Sequence, residues 1–183
     1  MERCSDRKMK IRILLGKTVC QVFSIHAPQI GQLAQEKEAF WDSLEEEVAK
    51  VPQVEGLLIG GDLNGHIGSE RGSFADNMGP YGYGNSNREG AAILEFCKHH
   101  NLRILNTYFK KDKNKTVTYV SGNAETQLDL VLMRPRDSFT ARDCRAIPGE
   151  CCAAQHRPLR ANIGVSRMAR RKVGGRKKLN VGS

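Results

Sequence analysis

The run Leu57-Leu58-Ile59-Gly60-Gly61-Asp62-Leu63-Asn64-Gly65-His66 constrains the fold more than any other part of the chain. Three consecutive apolar residues without polar alternation read as a strand buried on both faces, of the kind found at the centre of a covered sheet. A strand of that type needs a layer on each side, so it points to a layered fold. The glycine pair then leads into polar residues, with Asp62 and Asn64 two apart at the strand's C-terminal end.

The flanking patterns fill in the layers. Ile11–Leu15 and Thr18–Ile25 are apolar, β-branched runs separated by Gly16-Lys17, which predicts a two-residue hairpin. Leu33, Phe40, Trp41, Leu44 and Val48 share one stripe of a helix expected over about 32–50, with Glu and Lys on the other face and Pro52 beyond its end. Residues 60–87, rich in Gly, Asn and Ser, read as a long loop, which inside a compact domain is usually functional or disordered. Asn87 is placed to cap a helix reaching about His100, with Ile93, Leu94 and Cys97 inward. Short strands are expected at Leu102–Asn106, Thr116–Val120, Leu128–Met133, Phe139–Ile147 and Leu159–Ile163. Two helices among many short strands indicate an α+β or mixed layered domain over about residues 1–165.

The 183 residues are 39% hydrophobic and 27% charged, ordinary for a soluble globular protein. No apolar run approaches the ~20 residues that span a bilayer, and Met1–Lys10 lacks the apolar core of a secretory signal. The expectation is an intracellular chain, nuclear or cytoplasmic, with no membrane partner. Six cysteines show no CxxC pair and no zinc-type spacing, so reduced thiols are expected. Of the net charge of +9, seven positive charges fall in residues 166–183, which carry no acid. That segment reads as a flexible basic tail, either solvated or docking on a polyphosphate through residues such as Arg167, Arg170, Arg171 and Lys172.

Three pieces carry candidate chemistry. Asp62 and Asn64 share one face of the strand end, where a carboxylate and an amide can hold water, a metal ion or a phosphate oxygen; a plain turn is the alternative. Asp129 lies inside the apolar run Leu128–Met133, where a carboxylate is costly unless paired. Either it is salt-bridged, or it orients an imidazole. His156 sits in Ala154-Gln155-His156-Arg157-Pro158, just before the last expected strand, and alone would pass for a surface histidine.

Taken in order, Gly61-Asp62-Leu63-Asn64, Leu128-Asp129-Leu130 and Ala154-Gln155-His156 resemble the G-D-x-N, x-D-x and S-D-H motifs of the endonuclease/exonuclease/phosphatase superfamily. Ser24-Ile25-His26-Ala27-Pro28-Gln29 looks like that family's Y-x-P loop. The stretches "GGDLNGHIG", "NREGAAILEFC", "LRILNTYFKK", "VTYVSG", "TQLDLVL" and "IPGE" are similar to RTE-type retrotransposon endonucleases and to the craniofacial-development-protein-2-like chains derived from them. The resemblance covers about Ile11–Ile163.

What the resemblance implies is an incomplete four-layer α/β/β/α sandwich and Mg²⁺- or Mn²⁺-dependent phosphodiester hydrolysis of DNA. Asp62 and Asn64 would position water and phosphate, His156 held by Asp129 would stabilise charge on phosphorus, and His26 and Gln155 would contact the nucleic acid. It also implies departures. The family's metal-ligating Glu and preceding Asn fall upstream of this chain's first residue, Gln155 replaces an Asp, and His26 replaces a Tyr. The expectation is therefore an N-terminally truncated domain with impaired or lost catalysis. The alternatives are an active endonuclease and a non-catalytic, nucleic-acid-associated protein.

Overall fold

The computed structural model describes residues 2–138, 140–150 and 155–164. The chain opens with β1 (Glu2–Arg3), β2 (Lys8–Leu15) and β3 (Thr18–His26), then α1 (Ala34–Ala49) and β4 (Gly56–Asp62). The glycine-rich region carries β5 (Ile67–Gly68) and β6 (Tyr83–Ser86), and α2 (Arg88–His99) follows. Next come β7 (Arg103–Ile104), the one-turn α3 (Lys113–Thr116), β8 (Tyr119–Ser121), β9 (Ala124–Thr126) and β10 (Asp129–Met133). A second one-turn helix, α4 (Pro135–Ser138), precedes β11 (Ala141–Ala146) and β12 (Leu159–Ile163).

The main sheet has the order β1-β2-β3-β4-β10-β7. Its interior strand β4 runs parallel to β3 and antiparallel to β10, so the apolar Leu57–Ile59 run has a partner on each side. Side-chain parity then divides the core in two. Leu57 and Ile59 of β4, Phe23 and Ile25 of β3, and Leu130 and Leu132 of β10 face α1 and α2, meeting Phe40, Leu44, Val48, Ile93, Phe96 and Cys97. Leu58, Val131 and Met133 face the other way, against Cys144, Leu159, Ala161 and Ile163 of the β11–β12 sheet. The layers are therefore helices, large sheet and small sheet, with α3 lying against β11. This is the α+β layering of helices and packed sheets that the resemblance implied. The β11–β12 sheet covers the β4–β10 end of the large sheet, whereas Met9 and Ile11, on the same face farther out, remain 40% exposed.

Several expected boundaries moved for local reasons. The hairpin is longer than expected, extending back to Lys8, because Lys8 reaches the Ser43 hydroxyl and Lys10 pairs with Glu47 at 2.7 Å. Leu33 does not join the buried stripe of α1; it occupies the position before the helix and is 69% exposed. Glu47, read as part of a solvated face, instead lies between Lys10 and Lys50 at 2.7 and 2.6 Å. Residues 60–87 are not structureless: β5 pairs with β6, and the buried Asn77 donates to the carbonyls of Cys97 and Leu102 at 3.0 and 2.7 Å. The strand expected over Leu102–Asn106 stops after two residues and gives way to a 3₁₀ turn over Leu105–Tyr108. The strand expected from Thr116 begins only at Tyr119, because Thr116 closes the helical turn of α3, its hydroxyl donating to the Asp112 carbonyl at 3.1 Å.

Candidate active site

Two adjacent strands deliver the acids. The register of β4 and β10 sets Asp62 directly opposite Asp129, and the register of β3 and β4 sets His26 beside Asp62. All three residues stand on the same face of the large sheet, at one end. The chain can pass there because Gly61 has φ +143° and a Cβ at that position would lie 1.9 Å from the Ile25 carbonyl oxygen. No other residue type fits so close an approach.

Beyond Gly61, Asp62 Oδ1 accepts a hydrogen bond from the Asn64 backbone N–H at 2.9 Å, and Asn64 takes a left-handed φ of +50°. The Asn64 side chain is buried and its Nδ2 donates to the Ala27 carbonyl at 2.8 Å. Its carbonyl oxygen and its second amide N–H are left for a ligand. The turn is thus fixed to the loop after β3, and Ala27 N–H returns the contact by donating to the Asp62 carbonyl at 2.8 Å.

His156 reaches the same place from the far end of the chain. Its loop is strapped to the β8–β9 hairpin: Val120 N–H donates to the Gln155 carbonyl at 2.9 Å, and Arg157 N–H to the Thr118 carbonyl at 2.8 Å. Tyr119 stacks edge-on against the imidazole, with ring centroids 4.9 Å apart. Held this way, His156 Nδ1 lies 2.9 Å from Asp129 Oδ2, and Nε2 lies 3.7 Å from Asp62 Oδ2. An Nδ1–H donated to Asp129 fixes the ring and leaves Nε2 pointing at the cleft.

The cleft itself has a volume of about 440 Å³. His26, Asn64, His66, Tyr119, Gln155 and His156 line it together with Asp62, the single acid among its described walls. Burial, with the nearby Asp129 charge as a further contribution, holds the Asp62 carboxyl above its usual range; the Asn64 N–H and the two histidines act the other way. Gln155 turns its amide toward the hairpin, accepting from Tyr119 Oη at 2.7 Å and donating to Ser121 Oγ at 3.0 Å. A larger hollow of about 550 Å³ adjoins the cleft, lined by Ala27, Pro28, Lys37, Trp41, Leu63 and Arg88. No histidine lines it, so the acid–imidazole chemistry belongs to the smaller cleft.

The structure therefore brings Asp62, Asn64, Asp129, His156, His26 and Gln155 into one neighbourhood. Arg167, Arg170, Arg171 and Lys172 lie outside the described residues, as does Ala154 of the His156 loop. Sequence reasoning missed His66 and Tyr119 as cleft residues, although both sat inside quoted motifs. It also missed two supports of β10. Thr118 Oγ1 accepts from the backbone N–H groups of Leu128 and Asp129, each at 3.0 Å. Asn106 bonds both Val131 N–H and the Asp129 carbonyl, at 2.9 and 3.1 Å. A buried polar residue beside an apolar strand was the signal available for both.

No protein-family model matches the sequence. The chain is 28% identical to craniofacial development protein 2 of Bos taurus over 161 residues, and 30% identical to that of Tragulus javanicus over 165. Each alignment spans 87% of this chain, but only 27% and 28% of those proteins. The chain is a relative of craniofacial development protein 2. Among solved structures, the endonuclease domain of TRAS1, a telomere-specific non-LTR retrotransposon, superposes with TM-score 0.61 at 13% identity, covering 88% of this chain and 65% of that one. The 3′-5′ exonuclease NExo of Neisseria meningitidis gives TM-score 0.63 at 14% identity, covering 86% and 65%. NExo from Neisseria, solved as a 3′ phosphatase bound to product DNA hairpin, gives 0.62 at 12% identity, covering 86% and 64%. These likenesses show the endonuclease/exonuclease/phosphatase fold. Among the described residues no helix is long and apolar enough to cross a membrane.

Proposed function

We propose that the cleft is a phosphodiester site of retrotransposon-endonuclease ancestry, which binds the DNA backbone but does not hydrolyse it at an appreciable rate as an isolated chain. The observation that carries the reading is the chain of contacts Asp129–His156–Asp62, at 2.9 and 3.7 Å, at one wall of a polar cleft. A neighbour with this fold is bound to product DNA, which supports nucleic acid as the ligand class here.

In this reading a phosphate oxygen enters beside His156 Nε2, whose ring is oriented by Asp129 through Nδ1. Asp62 is the group able to take a proton from an attacking water, and its burial keeps the carboxylate basic enough to do so. Asn64 fixes the turn and offers its carbonyl oxygen. His26 and His66 flank the phosphate path. The basic segment over residues 166–183 adds affinity for the backbone without sequence preference.

Mg²⁺ or Mn²⁺ is the cofactor that the resemblance implies. Such ions take six oxygen ligands and rest on one or two carboxylates plus substrate phosphate and water. Here Asp62 is the single acid in the cleft walls, one of its oxygens is bonded to Asn64 N–H, and Asp129 is engaged with His156. One free carboxylate oxygen is too little to anchor an octahedral ion, so the described residues do not make a fitting resident site. Without one, the largest electrostatic stabilisation of a phosphoryl transition state is lost.

The test combines two assays on the untagged chain. With Mg²⁺ or Mn²⁺, nicking of supercoiled plasmid should not exceed that of a His156→Ala control. Binding to a short DNA duplex should fall by up to ~10³ between 50 and 200 mM salt if about six phosphates are engaged. Deleting residues 166–183 should flatten that salt slope, and His26→Ala with His156→Ala should weaken what remains. Robust His156-dependent nicking would overturn the non-hydrolytic reading in favour of an active endonuclease. Residual binding indifferent to both histidine changes would remove the cleft from DNA contact altogether.

A further inference from the structure

At the opposite end of β4 lies a second cluster of ligating groups. Leu57 lines the cleft there and Asp62 lines the candidate active site, so five residues at ~3.3 Å each put the two regions roughly 17 Å apart. This second cleft, about 470 Å³, includes His99, His100, Arg134 and Arg136 in its wall. Glu45 of α1 approaches the same two histidines at the end of α2, and the ligand atoms of the three side chains all lie within 4.8 Å of one another.

His100 is the informative member. Its Nε2 is buried and has no hydrogen-bond partner among the described residues. Glu45 Oε1 lies 3.9 Å from it, too far for a hydrogen bond. The ring cannot easily turn elsewhere, because Phe96 packs on it with centroids 4.6 Å apart and His99 meets it edge-on at 4.9 Å. Buried polar atoms in folded proteins almost always have a partner. A nitrogen and an oxygen facing each other across a gap wider than a hydrogen bond have room for an ion between them. Tetrahedral zinc with bonds of ~2.0–2.1 Å sets neighbouring ligand atoms about 3.4 Å apart, so a small closing movement of the half-exposed Glu45 and exposed His99 side chains completes the geometry.

We propose that Glu45, His99 and His100 bind a divalent transition metal, zinc by preference, which staples α1 to the end of α2. Two imidazoles and one carboxylate are a recurrent zinc donor set, with a fourth position open to water. Arg134 already donates to the carbonyls of Val51, Pro52 and Glu55, and Arg136 to that of Glu55.

The test uses the untagged full chain stripped with chelator, with Zn²⁺ added in competition with a chromophoric chelator and Co²⁺ as a spectroscopic substitute. One equivalent should bind, Co²⁺ should show visible bands without a thiolate charge-transfer band, and Zn²⁺ at 100-fold over Kd should raise Tm by ~5 °C or more. Glu45→Gln and His99→Ala, both at exposed or half-exposed positions, should each weaken binding by ~100-fold. His100→Ala should abolish it; should that variant fail to fold, the other two decide. The proposal is overturned by absent stoichiometric binding, by affinity unchanged in Glu45→Gln and His99→Ala, or by a thiolate band placing the metal on cysteines. None of these outcomes depends on DNA binding or nicking.

Discussion

Asn106 offers the most direct probe of how this fold holds its candidate site. The neighbouring strand β7 pairs with β10 only at Leu132 and Met133 and then departs into a 3₁₀ turn. Val131 N–H and the Asp129 carbonyl would therefore lack a ladder partner, and Asn106, itself 6% exposed, supplies both from one amide. Replacing it with alanine leaves two main-chain groups unpaired beneath the protein surface, at roughly 1–3 kcal/mol for the fully buried N–H and less for the carbonyl. The expected loss is about 3 kcal/mol. With a urea m-value of roughly 2 kcal/mol/M, the unfolding midpoint should fall by ~1.5 M while m stays constant. Native-state hydrogen exchange should show the Val131 amide losing more protection than its neighbours in β10. Asn106→Asp sets a buried carboxylate oxygen against the Asp129 carbonyl, so at pH 7 it should cost at least as much as Asn106→Ala. A midpoint shift under roughly 0.3 M in Asn106→Ala, or an unchanged Val131 amide, would refute the argument that this side chain completes the sheet.

Three further outcomes are expected. Gly61→Ala places a Cβ 1.9 Å from the Ile25 carbonyl at φ +143°; thermal melting should show a loss of about 4 kcal/mol, near 10 °C, or failure to fold, and a Tm within 2 °C of wild type would contradict the close approach. Glu47 is held at about 2 by its hydrogen bonds to Lys10 and Lys50. Its folded pKa is depressed, so its contribution is complete above its ordinary pKa and fades as pH falls toward 2. Glu47→Gln should cost about 1 kcal/mol at pH 7, less in 1 M salt, and almost nothing at pH 2; equal effects at both pH values would mean the ion pairs do not stabilise the fold. Asp62 is displaced the opposite way, chiefly by burial. A raised acid favours the fold while protonated and costs stability once pH exceeds its folded pKa. Asp62→Asn keeps an acceptor for Asn64 N–H and should therefore stabilise the chain at pH 7 by on the order of 1 kcal/mol. Destabilisation in chemical denaturation would show that the carboxylate is structural.

What the sequence made legible follows from where its signals were local. Leu57–Ile59 named the interior strand because its burial on both faces leaves no polar alternation. Asn87 named the start of α2 because its side chain accepts from Gly90 N–H at 2.8 Å, a contact three residues away. Asp129 was visible as a carboxylate out of place in an apolar run. The features that could not be read were those satisfied at long range. Glu47 looked like one more acid on a charged helix face, since its partner Lys10 is 37 residues away on the adjacent sheet. The 60–87 region looked like a loop because Asn77 finds its acceptors at Cys97 and Leu102. Glu45, His99 and His100 gave no motif, their spacing spread over two helices that only tertiary packing brings together.

The same distinction explains why the candidate site is coherent. Asp62 and Asp129 are 67 positions apart, yet antiparallel register makes them direct neighbours, and the two-residue period of a strand puts both on the face opposite the helices. A slip of one residue between β4 and β10 would turn Leu130 and Leu132 out of the helix-side core and Asp129 into it. The apolar side chains that pack the core are thus also what hold the two carboxylates at the cleft. His156 needs a separate device, because its loop belongs to neither strand, and the backbone bonds from Val120 and to Thr118 provide it. Thr118 is the joint between the two systems, its carbonyl holding the His156 loop and its hydroxyl holding the start of β10. The alignment of His156 with Asp129 is accordingly a property of the β8–β9 hairpin as much as of either residue. Changes at Thr118 should disturb the imidazole before they disturb the core.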